Sequence, residues 1–261
     1  HLWQARHLWQ ARHLWQARQP SPTGILAARP TVAGAHALLW ETVPNPVTYE
    51  DGNERGFSML RIGLLTSGGD CQALNATMRG IVKTIMNNTS DEVEIYGFLD
   101  GYQGLIYNRY VQLTPLDFGG CLSRGGTILG TSRTPFKLLD TPEADGVSKV
   151  PAMKKNYKNL KLDCLFMLGG NGSTKTANRL AEEGLNVIAL PKTIDNDTYG
   201  TDLTFGFTSA TEVATRCIDD IKTTASSHGR VFVIEIMGHK VGWIPLYAGV
   251  AGGADVILVP E

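Results

Sequence analysis

CLFMLGGNGS, Cys164 to Ser173, is an apolar run that ends in two glycines and reopens on small polar residues. A strand buried on both faces of a parallel sheet reads as continuous hydrophobic residues, and glycine lets the backbone leave such a strand in a tight turn. The same device stands upstream, where Ile62–Thr66 runs into Ser67-Gly68-Gly69-Asp70 ahead of a helical pattern over Ala73–Met86. Further apolar runs predict strands at Glu94–Leu99, Val187–Leu190, Val231–Ile236 and Val256–Val259, and helical periodicity predicts helices at Lys175–Glu183 and Ala210–Thr224. Strands alternating with helices give an α/β class with a largely parallel sheet covered on both faces. Ligands of such sheets collect at the carboxyl ends of the strands, where both glycine turns fall.

The chain has 261 residues and a formal net charge of −1, so no global field draws it to nucleic acid or to a membrane surface. Its four cysteines, Cys71, Cys121, Cys164 and Cys217, stand singly, without CxxC or metal-ligand spacing. Three lie in or beside apolar segments and read as small buried thiols of a protein kept in a reducing cytoplasm. No apolar run reaches the roughly 18 residues that span a bilayer. HLWQAR occurs three times in tandem over residues 1–18, and the stretch up to residue 58 keeps no lasting period. Residues 1–58 read as a non-native or disordered extension, an organelle transit peptide being the alternative. Met59 is the expected natural start, because Leu60-Arg61-Ile62-Gly63 leads straight into the first strand.

Chemistry concentrates in PKTIDND, Pro191 to Asp197, where Thr193, Asp195 and Asp197 share a short segment. One carboxylate can take a hydroxyl proton while its neighbour meets Mg²⁺ through water. An Asx-rich turn is the competing reading, and Lys192 and Thr193 beside the two acids favour chemistry. The two glycine turns suit phosphate: their backbones can approach an anion closely, and each precedes a helix N-terminus. Neither is a Walker loop, since GxxxxGK[ST] is absent from the sequence. Arg124-Gly125-Gly126-Thr127 and Thr131-Ser132-Arg133 form a third glycine-rich polar segment, in which Arg133 can offer a guanidinium to phosphate oxygens.

From Met59 to Glu261 the motifs LTSGGD, RGGTxLGTSR, GGNGS, PKTIDND, SSHGR, MGH and AGGADVILVPE follow in the order of the phosphofructokinase family, which the chain resembles. The resemblance implies two three-layer α/β domains with largely parallel sheets: a nucleotide-binding domain over residues 59–206 and the N-terminal part of a fructose 6-phosphate domain over residues 207–261. It implies transfer of the γ-phosphoryl of ATP to the 1-hydroxyl of fructose 6-phosphate, with Mg²⁺. By matching motif, Gly69, Arg133, Thr134, Gly170, Asn171, Gly172 and Ser173 hold the donor, and Asn171 stands where the family has an aspartate near the metal. Thr193 touches the transferring group, Asp195 is the general base and Asp197 assists it. Met237, Gly238 and His239 line the sugar-phosphate pocket, where many relatives end the motif in arginine. Arg230 reaches fructose 6-phosphate in a neighbouring subunit, which implies a homo-oligomer, a tetramer or dimer. Arg79 and Lys83 match positions of an allosteric nucleotide site whose other residues differ here.

Gly172 resembles ATP users of the family, whereas pyrophosphate users carry an aspartate there; Lys192 is shared with the pyrophosphate users. A pyrophosphate-dependent enzyme and a catalytically silent nucleotide-binding scaffold are therefore the alternatives, and a lipid- or NAD-kinase relative with a GGDG turn lacks the TIDND-to-MGH order. The family continues past the last motif, so the chain is expected to be C-terminally truncated, inactive alone and marginally folded.

Overall fold

The computed structural model describes residues 59–261, so the repeats and the extension before Met59 lie outside the described residues. Four parallel strands carry the fold: β1 (Met59–Ser67), β2 (Glu92–Phe98), β4 (Cys164–Gly169) and β5 (Val187–Thr193). A short strand β3 (Tyr110–Leu113) runs antiparallel to β2 at one edge, and β6 (Phe205–Gly206) pairs in parallel with the end of β5. The strand order is β3-β2-β1-β4-β5-β6. From β1 the chain winds outward one way to β2 and β3, then crosses back to β4 on the other side of β1. The order therefore reverses between β1 and β4, and a crevice opens outside their carboxyl ends.

Helices cover both faces. One face packs Ile62, Leu64, Ile95 and Leu168 against Leu74, Met78 and Val82 of α1 (Ala73–Asn88). The other packs Leu65, Phe98, Leu165 and Met167 under α2 (Tyr102–Tyr107), α3 (Lys149–Asn159) and α4 (Asn171–Glu182). Gly63 on β1 is needed for this packing, because a Cβ there would lie 2.8 Å from Leu165 Cδ1 and 3.0 Å from the Phe98 ring. Beyond the sheet follow the long helix α5 (Phe207–His228) and α6 (Trp243–Ala251). Among the described residues no helix is long and apolar enough to cross a membrane. Cys71, Cys121 and Cys164 are buried and Cys217 is exposed.

Two expected strands are corrected. Val231–Ile236 and Val256–Val259 pair with no strand among the described residues, and Val231, Val233 and Leu258 are 93%, 94% and 84% exposed. Their β-branched composition suits a pleated surface, but a strand exists only where a neighbour completes its hydrogen bonds. Helix α4 also begins four residues earlier than the expected Lys175, so Asn171, Gly172 and Ser173 form its first turn rather than a loop.

Candidate active site

Both glycine turns and the TIDND segment meet at the carboxyl edge of β1, β4 and β5. Gly68 enters the first turn with φ +90°, a left-handed conformation that glycine adopts without steric cost. Its N–H donates to the Ser132 carbonyl at 3.0 Å, and its carbonyl accepts from the Thr131 hydroxyl at 2.8 Å. The third glycine-rich segment is thereby laid against the first turn.

Gly170 caps α4. Its carbonyl accepts the N–H of Thr174 at 2.9 Å, leaving the N–H groups of Asn171, Gly172 and Ser173 at the open helix start. These donors and the positive end of the helix dipole can receive an anion. Ser173 is fixed from two sides: its hydroxyl lies 2.9 Å from the Ser67 hydroxyl, and its carbonyl accepts from the buried Tyr102 hydroxyl at 2.8 Å. The Ser67–Ser173 contact bridges the two turns. A Cβ on Gly172 would meet nothing within 4 Å, so this position faces open space.

Pro191, Lys192 and Thr193 continue β5, and the turn that holds the two acids starts only after them. The Thr193 hydroxyl donates to Asp195 Oδ2 at 3.2 Å and accepts the Asp195 N–H at 3.1 Å, which holds the carboxylate beside the strand end. Asn196 is left-handed, with φ +54°. Its side chain accepts the Thr204 N–H at 2.9 Å and donates to the Asp202 carbonyl at 3.2 Å, while the Thr204 hydroxyl donates to the Thr193 carbonyl at 2.7 Å. The asparagine therefore does the work of the turn and separates the two acids. Asp195 stays with Thr193, whereas Asp197 faces His239, whose Nδ1 is 3.6 Å from Asp197 Oδ2. Asn171 reaches the Asp197 carbonyl at 3.5 Å, tying the start of α4 to the same turn.

Lys192 is 6% exposed and its ammonium donates to the Gly69 carbonyl. Burial lowers its pKa below the ordinary lysine value; the neighbouring Cys71, Asp70 and Asp195 oppose that shift, and Arg133 adds to it. Thr134 is buried, and its hydroxyl has no partner among the described residues. Arg133 is exposed.

Gly69, Gly170, Asn171, Gly172, Ser173, Thr193, Asp195 and Asp197 are thus gathered along one edge, and His239 joins them through Asp197. No hydrogen bond or ion pair among the described residues ties Arg230 or Met237 to that edge. Arg230 follows the left-handed Gly229 that ends α5 and makes no ion pair or side-chain hydrogen bond among the described residues, and Met237 is 76% exposed. Sequence reasoning missed Tyr102, Thr204 and the bridging role of Ser67; only Ser67 stood in a motif. A cavity of about 580 Å³ along α5, lined in part by Phe207, Thr211, Arg216 and Tyr247, shares no residue with these turns.

Residues 61–261 match the family model described as Phosphofructokinase. The chain is similar to the ATP-dependent 6-phosphofructokinase of Spirochaeta thermophila, with 57% identity over 203 residues, covering 76% of this chain and 55% of the relative. It is 51% identical to ATP-dependent 6-phosphofructokinase 3 of Bacteroides thetaiotaomicron, covering 77% of this chain and 59% of that protein. Among solved structures it is similar to Pichia pastoris phosphofructokinase in the T-state, with a TM-score of 0.65 and 32% identity, covering 80% of this chain and 23% of that one. The chain thus spans somewhat over half the length of these two curated relatives.

Proposed function

Because the chain belongs to the phosphofructokinase family, we propose that it carries the donor-binding and proton-accepting part of an ATP-dependent 6-phosphofructokinase of the cytoplasm. In this reading the substrates are ATP and fructose 6-phosphate, and the products are ADP and fructose 1,6-bisphosphate. The observation that carries it is the seating of Asp195 beside Thr193 at the end of β5, the strand next to β4 and its glycine turn and one strand from the sheet's switch point.

The N–H groups of Gly69 and of the α4 start bind the phosphates, with Ser173 and Gly170 shaping the cradle and Arg133 adding charge from the third segment. Thr134, next to Arg133 in the chain, keeps a buried hydroxyl without a partner among the described residues. Asp195 accepts the proton of the 1-hydroxyl as the γ-phosphoryl leaves ADP, and Thr193 lies against the transferring group. Asp197, with His239 at its side, supports the turn from the sugar-phosphate side, where Met237 and Gly238 complete the lining. Arg230 serves the pocket of a second copy, which makes the working enzyme a homo-oligomer. Residues 59–206 form the nucleotide-binding domain, and residues 207–261 begin the sugar-phosphate domain.

The donor set fits Mg²⁺ that is held mainly by donor phosphates and water. Among the described residues no three acids, histidines or cysteines converge, and the hard oxygens at hand are the Asn171 amide carbonyl and the Asp195 and Asp197 carboxylates. Bound there, Mg²⁺ supplies charge neutralisation at the transferring phosphoryl. Asn171 would offer it a neutral amide oxygen, without a charge of its own.

The test is an assay of fructose 1,6-bisphosphate formation by the full-length protein with fructose 6-phosphate and either ATP or pyrophosphate. Turnover with ATP is expected. Turnover with pyrophosphate alone, or nucleotide binding without turnover, overturns the reading.

A further inference from the structure

The first glycine turn presents its donors in a constrained way. Neither the Gly69 N–H nor the Asp70 N–H has an acceptor among the described residues. Both carbonyls that share a peptide with these donors are held. The Gly68 carbonyl, in one peptide with the Gly69 N–H, accepts the Thr131 hydroxyl at 2.8 Å; the same hydroxyl is 3.2 Å from the Thr66 carbonyl. The Gly69 carbonyl, in one peptide with the Asp70 N–H, accepts the Lys192 ammonium.

In a planar trans peptide the C=O and N–H point in opposite directions, so fixing the oxygen fixes the direction of the hydrogen. Two successive N–H groups held this way make an anion-binding concavity. The clamps come from two different segments of the chain. Thr131 belongs to the segment that also binds the Gly68 N–H through the Ser132 carbonyl, and Lys192 belongs to β5. A Cβ on Gly68 would lie 3.7 Å from Lys192 Nζ and 3.8 Å from Ser173 Oγ, so the ammonium stands where the two glycine turns converge.

Resting on the reading of this edge as the phosphoryl-donor site, we propose that Thr131 and Lys192 are positioning residues that aim the Gly69 and Asp70 N–H groups at the donor phosphates by clamping the two preceding carbonyls. Gly69 touches the donor; Thr131 acts only through the backbone. Lys192 acts through the Gly69 carbonyl and adds its charge to the same crevice.

The test is calorimetric titration of the full-length protein and its Thr131→Val, Thr131→Ser, Lys192→Met and Lys192→Arg variants with ATP, tripolyphosphate and adenosine, alongside thermal melting. Thr131→Val keeps the side-chain shape and removes the hydroxyl. It is expected to weaken ATP and tripolyphosphate about tenfold, the worth of one hydrogen bond. Adenosine should be unaffected, and Thr131→Ser should bind like the wild type. Lys192→Met should weaken the two phosphate ligands more than Thr131→Val, with Lys192→Arg recovering part of the loss. A Thr131→Val protein that binds tripolyphosphate as tightly as the wild type overturns the proposal, whether or not the lysine variants fold. Equal weakening of adenosine and ATP also overturns it, because that is the mark of general loosening. If the wild type binds tripolyphosphate with these sensitivities but turns over no fructose 6-phosphate, the enzymatic reading fails while the clamps stand. A wild type that binds neither phosphate ligand overturns both.

Discussion

Replacing Asn196 separates the backbone's part in the turn between Asp195 and Asp197 from the side chain's. Asn196 holds φ +54°, and its amide bridges the Thr204 N–H at 2.9 Å and the Asp202 carbonyl at 3.2 Å. In Asn196→Gly the left-handed backbone stays unstrained while both bonds are lost, which costs about 2 kcal/mol at about 1 kcal/mol for each hydrogen bond. Asn196→Ala adds a Cβ in the left-handed region, a further cost of about 1 kcal/mol, for a total of about 3 kcal/mol. The order of stability is therefore wild type, glycine, alanine, the reverse of the usual preference for alanine over glycine. Turnover should fall in the same order. Asp195 and Asp197 flank the hinge, and a displacement of about 1 Å at reacting groups costs about a hundredfold in rate. Denaturant unfolding gives the stabilities, and a coupled assay for fructose 1,6-bisphosphate gives kcat. An alanine variant as stable as the glycine variant, or either variant with wild-type kcat, refutes the reasoning that this asparagine shapes the turn.

Asp195→Asn should lower kcat by about 10²- to 10⁴-fold, the range for loss of a positioned base, with ATP affinity in titration little changed; retained turnover would move the proton to another group, with Asp197 first. Gly172→Asp should leave the melting temperature unchanged, because a Cβ there meets nothing within 4 Å. Its carboxylate, set at the start of α4 where the donor phosphates are proposed to bind, should raise the KM for ATP by tenfold or more, since like-charge juxtaposition costs several kcal/mol; an unchanged KM would displace the donor from that helix. Lys192 gives a pH signature. Burial holds its folded pKa below the ordinary 10.5, so between those two values the unfolded chain binds more protons and the cost of burying the charge is relieved as pH rises. Wild-type stability, measured by denaturation relative to Lys192→Met, should therefore increase with pH across that window, and a difference that stays flat or falls would show that burial does not penalise the ammonium.

What the sequence discloses here follows the range of the forces involved. The central strands were legible because a strand buried on both faces must be apolar throughout, as Leu64, Leu65, Leu165 and Met167 are, all fully buried. Helix α3 was not legible. Its sequence, KVPAMKKNYKN, buries Val150, Met153 and Tyr157 but also Lys149, which donates to the Leu138 and Thr141 carbonyls, so polar residues break the apolar stripe. Helix α6 hid for the opposite reason: Trp243, Tyr247 and Val250 are apolar yet partly exposed, and a run that is hydrophobic all round shows no period. The run Val231–Ile236 read as a strand from composition, but pairing depends on a neighbour that composition does not specify. At the site, the glycine turns and the TIDND acids were legible because each requirement is local: a left-handed backbone at Gly68, a hydroxyl two residues from a carboxylate at Thr193 and Asp195. The contacts that orient them join residues far apart in the chain, Lys192 to Gly69 across 123 positions and Thr131 to Gly68 across 63. Such pairs leave no local trace, since a lysine on a strand and a threonine in a loop are common for many reasons. The motif therefore marks where the glycine turns sit, and only the folded chain shows which side chains hold their carbonyls.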